Sequence, residues 1–394
     1  MGKLIFNSEK IKDMDAFLKL CPFGALVVEN GKVSANAACK MCKLCVKNGP
    51  DGAAVFVEDE VKAIDKSFWN GVAVYVDLDD GLIHPVTFEL IGKARELADK
   101  IGHKVYCVFI GSGVETAAEE LLHYGVDEVF IYDNPALKYY IPENYTAVFE
   151  AFINQVKPCS ILVGATTTGR ELAPHIAARF ETGLTADCTI LDMNEDTDLI
   201  QIRPAFGGNI MAQIVTLNNR PQLATVRYKV MNAPERSDEV RGKLTACVVD
   251  ETTLNSKTEI LNIQPKEKVK TIESAEVLVA AGRGVKSKED LKLLKELADL
   301  LGGELACTRP LIEAGWMDAK CQIGLSGRTV RPRLIITCGV SGAVQFTAGM
   351  NNSDYIFAIN KDDKAPIFKV ANYGIVGDLY QIVPELIQKI KGGR

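Results

Sequence analysis

From Gly71 onward, short apolar runs alternate with longer stretches whose apolar positions recur every three or four residues. "VAVYVDL" reads as a strand, "PVTFELIGKARELADKIG" as an amphipathic helix starting near Pro85, and "KVYCVFIG" as the next strand. The alternation continues through "VETAAEELLHYG", "EVFIYD", "YTAVFEAFINQVK" and "CSILVGA", with Gly102 and Gly125 at helix-stop positions. Such a rhythm predicts a parallel sheet. Beyond Thr185 the period shortens: "TILDMN", "LIQIRP", "NIMAQIVTL" and "LATVRY" are separated by turn residues, which predicts antiparallel or mixed pairing. Residues 249–274 are charged and polar and read as an interdomain link. A second α/β unit follows: strand "EVLVAAG", helix "KEDLKLLKELADLLG", strand "ELACT", a Gly-rich middle, strand "RLIITCG", helix "GAVQFTAGM", strand "YIFAIN" and a final helix near "VGDLYQIVPELIQKIK". Pro384 is expected to kink or end the first part of that helix.

The N-terminal part has a different texture. "CKMCKLCVKNGP" places Cys39, Cys42 and Cys45 at C-x2-C-x2-C spacing, with Gly49 before Pro50 where a bacterial ferredoxin run has its fourth cysteine. Upstream, Cys21-Pro22 keeps the fourth position, while Ile11, Met14 and Phe17 stand at the first three. In two-cluster ferredoxins the fourth cysteine of each run ligates the other run's cluster. Cys21, Cys39, Cys42 and Cys45 would therefore complete one [4Fe-4S] cluster, and Ile11, Met14, Phe17 and Gly49 would fill the place of a lost one. The pattern resembles a ferredoxin domain reduced to one cluster. Zinc ligation and unligated thiols are the competing readings, and neither explains the Cys-Pro pair or the half-repeat. The other seven cysteines, Cys107, Cys159, Cys188, Cys247, Cys307, Cys321 and Cys338, lie among apolar runs and read as reduced core residues.

The expected architecture is thus α/β: a ferredoxin-like one-cluster domain over residues 1–65, a nucleotide-binding-like α/β domain over 71–250 and a doubly wound parallel-sheet domain over 275–394, with "EDEVKAIDKSFWNG" as the first connector. With 47% apolar residues, 394 residues bury sizeable cores. No apolar run reaches membrane-spanning length, and no signal-peptide pattern is present. A net charge of -6 without a basic stripe leaves no footprint for nucleic acid. Eleven cysteines with these spacings favour a cofactor over a disulfide scaffold and predict a reduced, cytoplasmic protein. The four histidines, His84, His103, His123 and His175, are not paired at metal spacing, and no nucleophile–base set is suggested.

"AAGRGVKS" follows a predicted strand and opens a predicted helix, as a phosphate-cradling turn would, although Ser287 stands where a third glycine is usual. A plain βα turn is an equal reading. "TRPLIEAGW", "QIGLSGRTVRP", "GVSGAVQFTAGM" and "AINKDDKAPIFKVANYGIVGDL" each place small or polar residues where a strand should end, which is where open α/β sheets bind ligands. In order and spacing these segments resemble the C-terminal FAD domain of the electron-transfer flavoprotein alpha subunit. The resemblance extends through "GATTTGRELAPHIAARF" and "RPAFGGNIMAQIVTLNNRPQLATVR", so it covers residues 71–394. The N-terminal extension resembles that of electron-bifurcating members from anaerobes.

The resemblance implies FAD in the last domain, with Arg309 over the isoalloxazine ring, the Ser326 hydroxyl on flavin N5 beside Gly327, and Gln345 near the pyrimidine end. Ser341 and Gly342 would meet the pyrophosphate, and Asn360 and Asp378 would lie toward the ribose and adenine. Leu325 and Phe346 stand where the family often has Gln and His. The implied partners are a beta subunit carrying a second FAD and reading NADH, a flavin-dependent dehydrogenase of lactate or acyl-CoA type, and ferredoxin. The implied role is that of a redox carrier subunit. The rival is a non-redox nucleotide-binding module with a zinc-stabilised interaction domain. The domain at 71–250 shows no convincing Gly-rich phosphate turn, so its edges and loops are expected to serve a partner subunit.

Overall fold

The computed structural model describes residues 3–29, 31–57, 64–205, 210–264 and 271–392. The first part of the first expected connector, the start of "NIMAQIVTL" and part of the link at 249–274 lie outside them. The chain divides into two compact units, Met1–Ala63 and Ile64–Arg394.

In the first unit, β1 (Lys3–Phe6), α1 (Met14–Leu18), β2 (Leu26–Glu29), β3 (Lys32–Ala35), α2 (Leu44–Asn48) and β4 (Ala54–Val57) follow one another. β1 pairs antiparallel with β4, and β2 with β3 in a hairpin. The halves repeat, for β2 and β4 begin 28 positions apart, as do Phe17 and Cys45, the buried residues of α1 and α2. Ile11, Phe17, Leu26, Val33 and Cys45 form the small core, with Met14 packed against it.

The second unit carries two parallel sheets. The first is built from β5 (Val72–Val76), a short hairpin of β6 (Leu78–Asp79) and β7 (Leu82–Ile83), α3 (Val86–Ile101), β8 (Val105–Gly111), α4 (Glu115–Leu121), β9 (Glu128–Asp133), α5 (Pro142–Val156), β10 (Ser160–Gly164) and α6 (Thr167–Arg179). Then come β11 (Leu184–Cys188), β12 (Ile190–Met193), β13 (Leu199–Ala205), β14 (Ile210–Ile214), β15 (Gln222–Val226) and β16 (Lys243–Ala246). The seven-stranded order is β11-β15-β10-β5-β8-β9-β16, parallel throughout. β12, β13 and β14 make a separate antiparallel sheet. The shortened period is therefore antiparallel at 190–214, while "LATVRY" returns to the parallel sheet. Strand alternation sorts the core: Val72, Val74 and Val76 face one apolar cluster with α3, and Ala73 and Tyr75 face another with α5 and α6. α3 and α4, the latter through its short 3-10 extension, stop at Gly102 and Gly125 in left-handed conformation.

The second sheet comprises β17 (Val277–Ala281), α7 (Leu291–Leu300), β18 (Glu304–Cys307), α8 (Arg309–Glu313), β19 (Leu334–Cys338), α9 (Val344–Thr347), β20 (Tyr355–Asn360), β21 (Tyr373–Val376) and α10 (Leu379–Lys391). Its order, β18-β17-β19-β20-β21, is parallel throughout. Two expectations are corrected here. The helix in "GAVQFTAGM" is only four residues long. α10 runs unbroken through Pro384. A proline inside a helix costs about 3 kcal/mol, but Leu379, Val383 and Ile387 form a buried stripe on α10, each contributing about 1.5–3 kcal/mol. Packing outweighs the missing bond.

Candidate functional site

In the second sheet the chain passes from β17 outward to β18, then crosses back to place β19 on β17's other side. The strand order reverses between β17 and β19, and the carboxyl ends flanking such a reversal open a crevice. The loops that leave β17 and β19 touch backbone to backbone: Gly284 donates its N–H to the Gly339 carbonyl at 2.9 Å, and a β-carbon on Gly284 would lie 2.7 Å from the Gly339 Cα. The glycines of "AAGRGVKS" thus serve close loop packing. α7 begins only at Leu291, so this turn does not lead directly into a helix, contrary to expectation.

Gly284, Lys286, Gly339, Asn360, Asp378 and Tyr380 line one cleft at these strand ends. The Asn360 side chain donates to the Val340 carbonyl at 2.7 Å and accepts from the Asp362 N–H at 3.0 Å. Asp378 caps α10, accepting the Tyr380 N–H at 2.9 Å. The Tyr380 hydroxyl accepts the Lys286 N–H at 2.8 Å and donates to Asp290 at 2.7 Å. Ser341 and Gly342 lie on the loop after β19. Gly342 has φ +81°, and a β-carbon there would sit 2.2 Å from the Ile367 nitrogen. Only glycine fits that turn. Ser341 itself is exposed, and its carbonyl accepts the Ile367 N–H at 3.1 Å.

The rim continues toward β18. The Ser326 hydroxyl accepts from Gln322 Nε2 at 2.8 Å. Gly327 donates its N–H to Gly324, and Leu325 donates to the Gln345 carbonyl at 2.8 Å, so the loop at 322–328 is stapled to α9. Arg309 opens α8 directly after β18, is two-thirds exposed, and pairs with Glu313 at 2.8 Å. Gln345 is exposed, while Phe346 is 5% exposed within the apolar cluster under the loop. A backbone bond thus joins the Ser326 loop to Gln345, the Ser341 carbonyl is bonded to the segment at Ile367, and Asn360 and Asp378 line the cleft at the strand ends. Tyr380, Lys286, Gly339 and Arg227 were not singled out from sequence. The signal for Lys286 and Gly339 is their place at or just after the end of a predicted parallel strand, and for Tyr380 the start of a helix, whereas Arg227 lies inside the predicted strand "LATVRY", which carried no such signal.

In the first unit, Cys39, Cys42 and Cys45 share a turn in which Met41 and Lys43 are left-handed, at φ 52° and 61°. Burial pushes the Cys45 thiol up, and the neighbouring Cys39 and Cys42 add to the rise. For Cys21, burial acts upward, but the N–H groups of Ala25, Phe23, Leu26 and Gly24 outweigh it and hold the thiol below its ordinary range. The Ala25 N–H lies 3.3 Å from Cys21 Sγ. Among the described residues no three His, Cys, Asp or Glu side chains converge as they would on a single metal ion, so the four thiols are not gathered at one point. At Gly49, a β-carbon would lie 2.7 Å from the Phe17 ring. The phenyl group fills the space a cysteine side chain would need there.

Comparison with known proteins gives the following matches. The electron transfer flavoprotein domain matches residues 72–252, and the electron transfer flavoprotein FAD-binding domain matches residues 271–351. The lactate dehydrogenase (NAD(+),ferredoxin) subunit LctC of Acetobacterium woodii is 58% identical over 390 residues, 99% of this chain and 93% of that protein. Electron transfer flavoprotein subunit alpha of Thermoanaerobacterium thermosaccharolyticum is 45% identical over 83% of this chain and 98% of its own length. Its counterpart in Clostridium acetobutylicum is 45% identical over 83% of this chain and 99% of its own.

Proposed function

The chain belongs to the electron transfer flavoprotein alpha-subunit family, and from that premise we propose that it is the redox carrier subunit of a ferredoxin-coupled, lactate-oxidising, electron-bifurcating complex. FAD, which takes up and releases electrons singly or in pairs, would lie along the rim of the second sheet. Arg309 would supply a cation over its ring, Ser326 beside Gly327 a hydroxyl for N5, and Gln345 an amide for the pyrimidine end. Ser341 and Gly342 would meet the pyrophosphate, and Asn360 and Asp378 the ribose and adenine side. The observation that carries the reading is the crevice itself: a 2-1-3-4-5 sheet order whose switch-point loops pack glycine against glycine, which leaves room for a dinucleotide to approach the backbone closely.

The first unit fits a ferredoxin-like domain holding one [4Fe-4S] cluster on Cys21, Cys39, Cys42 and Cys45. In its favour are the paired halves, the N–H groups around Cys21 and the phenyl plug beside Gly49. Each ligand of a four-iron cluster binds a different iron, so its thiols bracket a volume and need not converge. The A. woodii relative spans this unit as well, and its name favours a lactate-type dehydrogenase over an acyl-CoA type as the partner. A beta subunit is the second partner. The edge strand β14 exposes Ile210 and Met211 by about half (54% and 50%), an apolar strip suited to such an interface. No helix among the described residues is long and apolar enough to cross a membrane.

The test is co-expression with its beta subunit and a candidate dehydrogenase. A yellow-brown complex with one FAD in this subunit and iron near four per chain, oxidising lactate only with NAD and ferredoxin together, is the expected result. A colourless, zinc-bearing protein would support the nucleotide-binding module with a zinc-stabilised domain.

A further inference from the structure

Arg227 directly follows β15 of the first sheet, yet its guanidinium serves both α/β halves of the second unit. It donates to Asp187 at 3.1 Å and to the Leu325 carbonyl at 2.7 Å, with its side chain only 15% exposed. Leu325 precedes Ser326, and its own N–H is bound to Gln345. The residue that leads into Ser326 is thus held from one side by its own sheet's loop and from the other by the neighbouring domain. Asp187 is arranged for this contact. It is a non-glycine residue at φ +58°, at the point where the β11–β15 register shifts between Thr185 and Cys188. That conformation is unfavourable for a residue with a β-carbon and persists where surroundings enforce it. Its N–H donates to Thr225 at 2.9 Å, and its other carboxylate oxygen accepts from Arg170 at 3.2 Å. Arg331 on the second half donates to Asn232 on the first at 2.7 Å, five residues beyond Arg227.

We propose that Arg227, oriented by Asp187, is a positioning residue that reaches across the domain boundary to fix the Ser326 loop, and through it the hydroxyl presented to the flavin. The inference rests on the FAD site proposed above. Both bonds leave one nitrogen, Nη2, held in the rigid guanidinium plane; lysine is a poor substitute because its ammonium is a strongly hydrated, rotating point charge on a flexible stem and is not pre-organised toward the two acceptors. Asp187→Asn keeps a residue that tolerates the left-handed backbone but removes the charge that orients the guanidinium.

The experiment uses the full chain with its beta subunit, as parent, Arg227→Lys, Asp187→Asn, Ser326→Ala and the Arg227→Lys/Ser326→Ala double variant. FAD content, amide hydrogen exchange across residues 322–330 and the FAD midpoint potential are measured. Expected are retained FAD and exchange at Leu325 to Gly327 faster by about tenfold, a factor matching loss of a hydrogen bond to a charged group. The potential should shift in the direction produced by Ser326→Ala, with the double variant close to Ser326→Ala alone. Unchanged loop exchange and potential in both Arg227→Lys and Asp187→Asn, with FAD bound, would overturn the inference and leave the site reading standing. Faster exchange spread evenly over the whole chain would also overturn it, since that marks a general structural role. A parent chain that binds no FAD would overturn both.

Discussion

Glu89 offers a test in which the direction of a pH effect decides the argument. It sits in the first turns of α3, 7% exposed, and its carboxylate accepts the Lys229 N–H at 3.0 Å. Burial raises its pKa from 4.5 to about 7, against the lowering influence of the Lys229, Met231 and Val230 N–H groups and the Lys229 charge. Between those two pH values the native state holds a proton that the unfolded chain has released. Stability therefore falls as pH rises through this window. At about 1.4 kcal/mol per pKa unit, the deficit approaches about 3.5 kcal/mol above pH 7 and vanishes below pH 4.5. Glu89→Gln is neutral throughout and retains an oxygen for the Lys229 N–H. It should be roughly 1–3 kcal/mol more stable than the parent at pH 8, the lower figure allowing for the amide's own unmet donors, and nearly equal to it at pH 4.5. Urea unfolding at pH 4.5, 6, 7 and 8 measures the difference. If the two proteins show parallel pH profiles, or if Glu89→Gln is weaker at pH 8, the N–H groups outweigh burial and the assignment is wrong. Because Glu89 holds the segment between Arg227 and Asn232, the same pH range should also alter exchange in that segment.

Cys21→Ser should lose or convert the cluster while FAD content is unchanged; full iron in the variant, or stoichiometric zinc in the parent, would remove the cluster argument. Phe17→Ala empties the plugged site at a cost of about 3–5 kcal/mol, so iron should be lost and the N-terminal unit become protease-sensitive, and a stable iron-replete variant would show that the ring is not a core element. Gly342→Ala must place a β-carbon against the Ile367 nitrogen at φ +81°, costing at least about 1–2 kcal/mol for the backbone alone; FAD content and the melting temperature should both fall, and normal values for both would contradict the turn geometry.

The sequence was most legible where periodicity was long. β5 to β10 and α3 to α5 emerged because buried parallel strands are continuous apolar runs and their crossover helices carry a regular stripe. The half-repeat in the first unit was visible because ligand spacing is a covalent ruler, and Phe17 beside Gly49 gives it a physical meaning. What escaped were short or edge elements. β11 reads "LTADC", with the polar Asp187 left-handed just before its end, β16 reads "KLTA", and β21 reads "YGIV", exposed along its length. Their identity comes from the neighbour they pair with, which no local pattern records. At the rim, the residues expected to touch the cofactor came out largely as loop and helix-terminus positions, but their current partners did not. Arg309 with Glu313 one turn along α8, Ser326 with Gln322 within one loop and Asp378 with the Tyr380 N–H at the start of α10 are local contacts of residue types that have many alternative partners nearby. Arg227 could not be linked to Leu325 by any pattern, because the two are 98 residues apart.

The seven-stranded sheet has a switch point of its own, and its contents explain why it carries no Gly-rich phosphate turn. Strand order reverses between β5 and β10, so the carboxyl ends at Val76 and Gly164 flank a crevice equivalent to that of the second sheet. The chain's own groups close it. Asp77, 2% exposed, accepts the Thr166 hydroxyl, and its backbone N–H donates to Thr87 at 3.2 Å. Thr166 simultaneously caps α6 through the Gly169 N–H at 3.0 Å. Burial pushes the Asp77 carboxyl up, with Thr166 opposing. A phosphate at this helix start would have to displace the cap and approach a carboxylate, whereas the second crevice offers glycine backbone and the lysine at 286. Two crevices of similar topology thus differ by a few side chains, and the one that its own side chains leave open lies in the domain that matches the FAD-binding family.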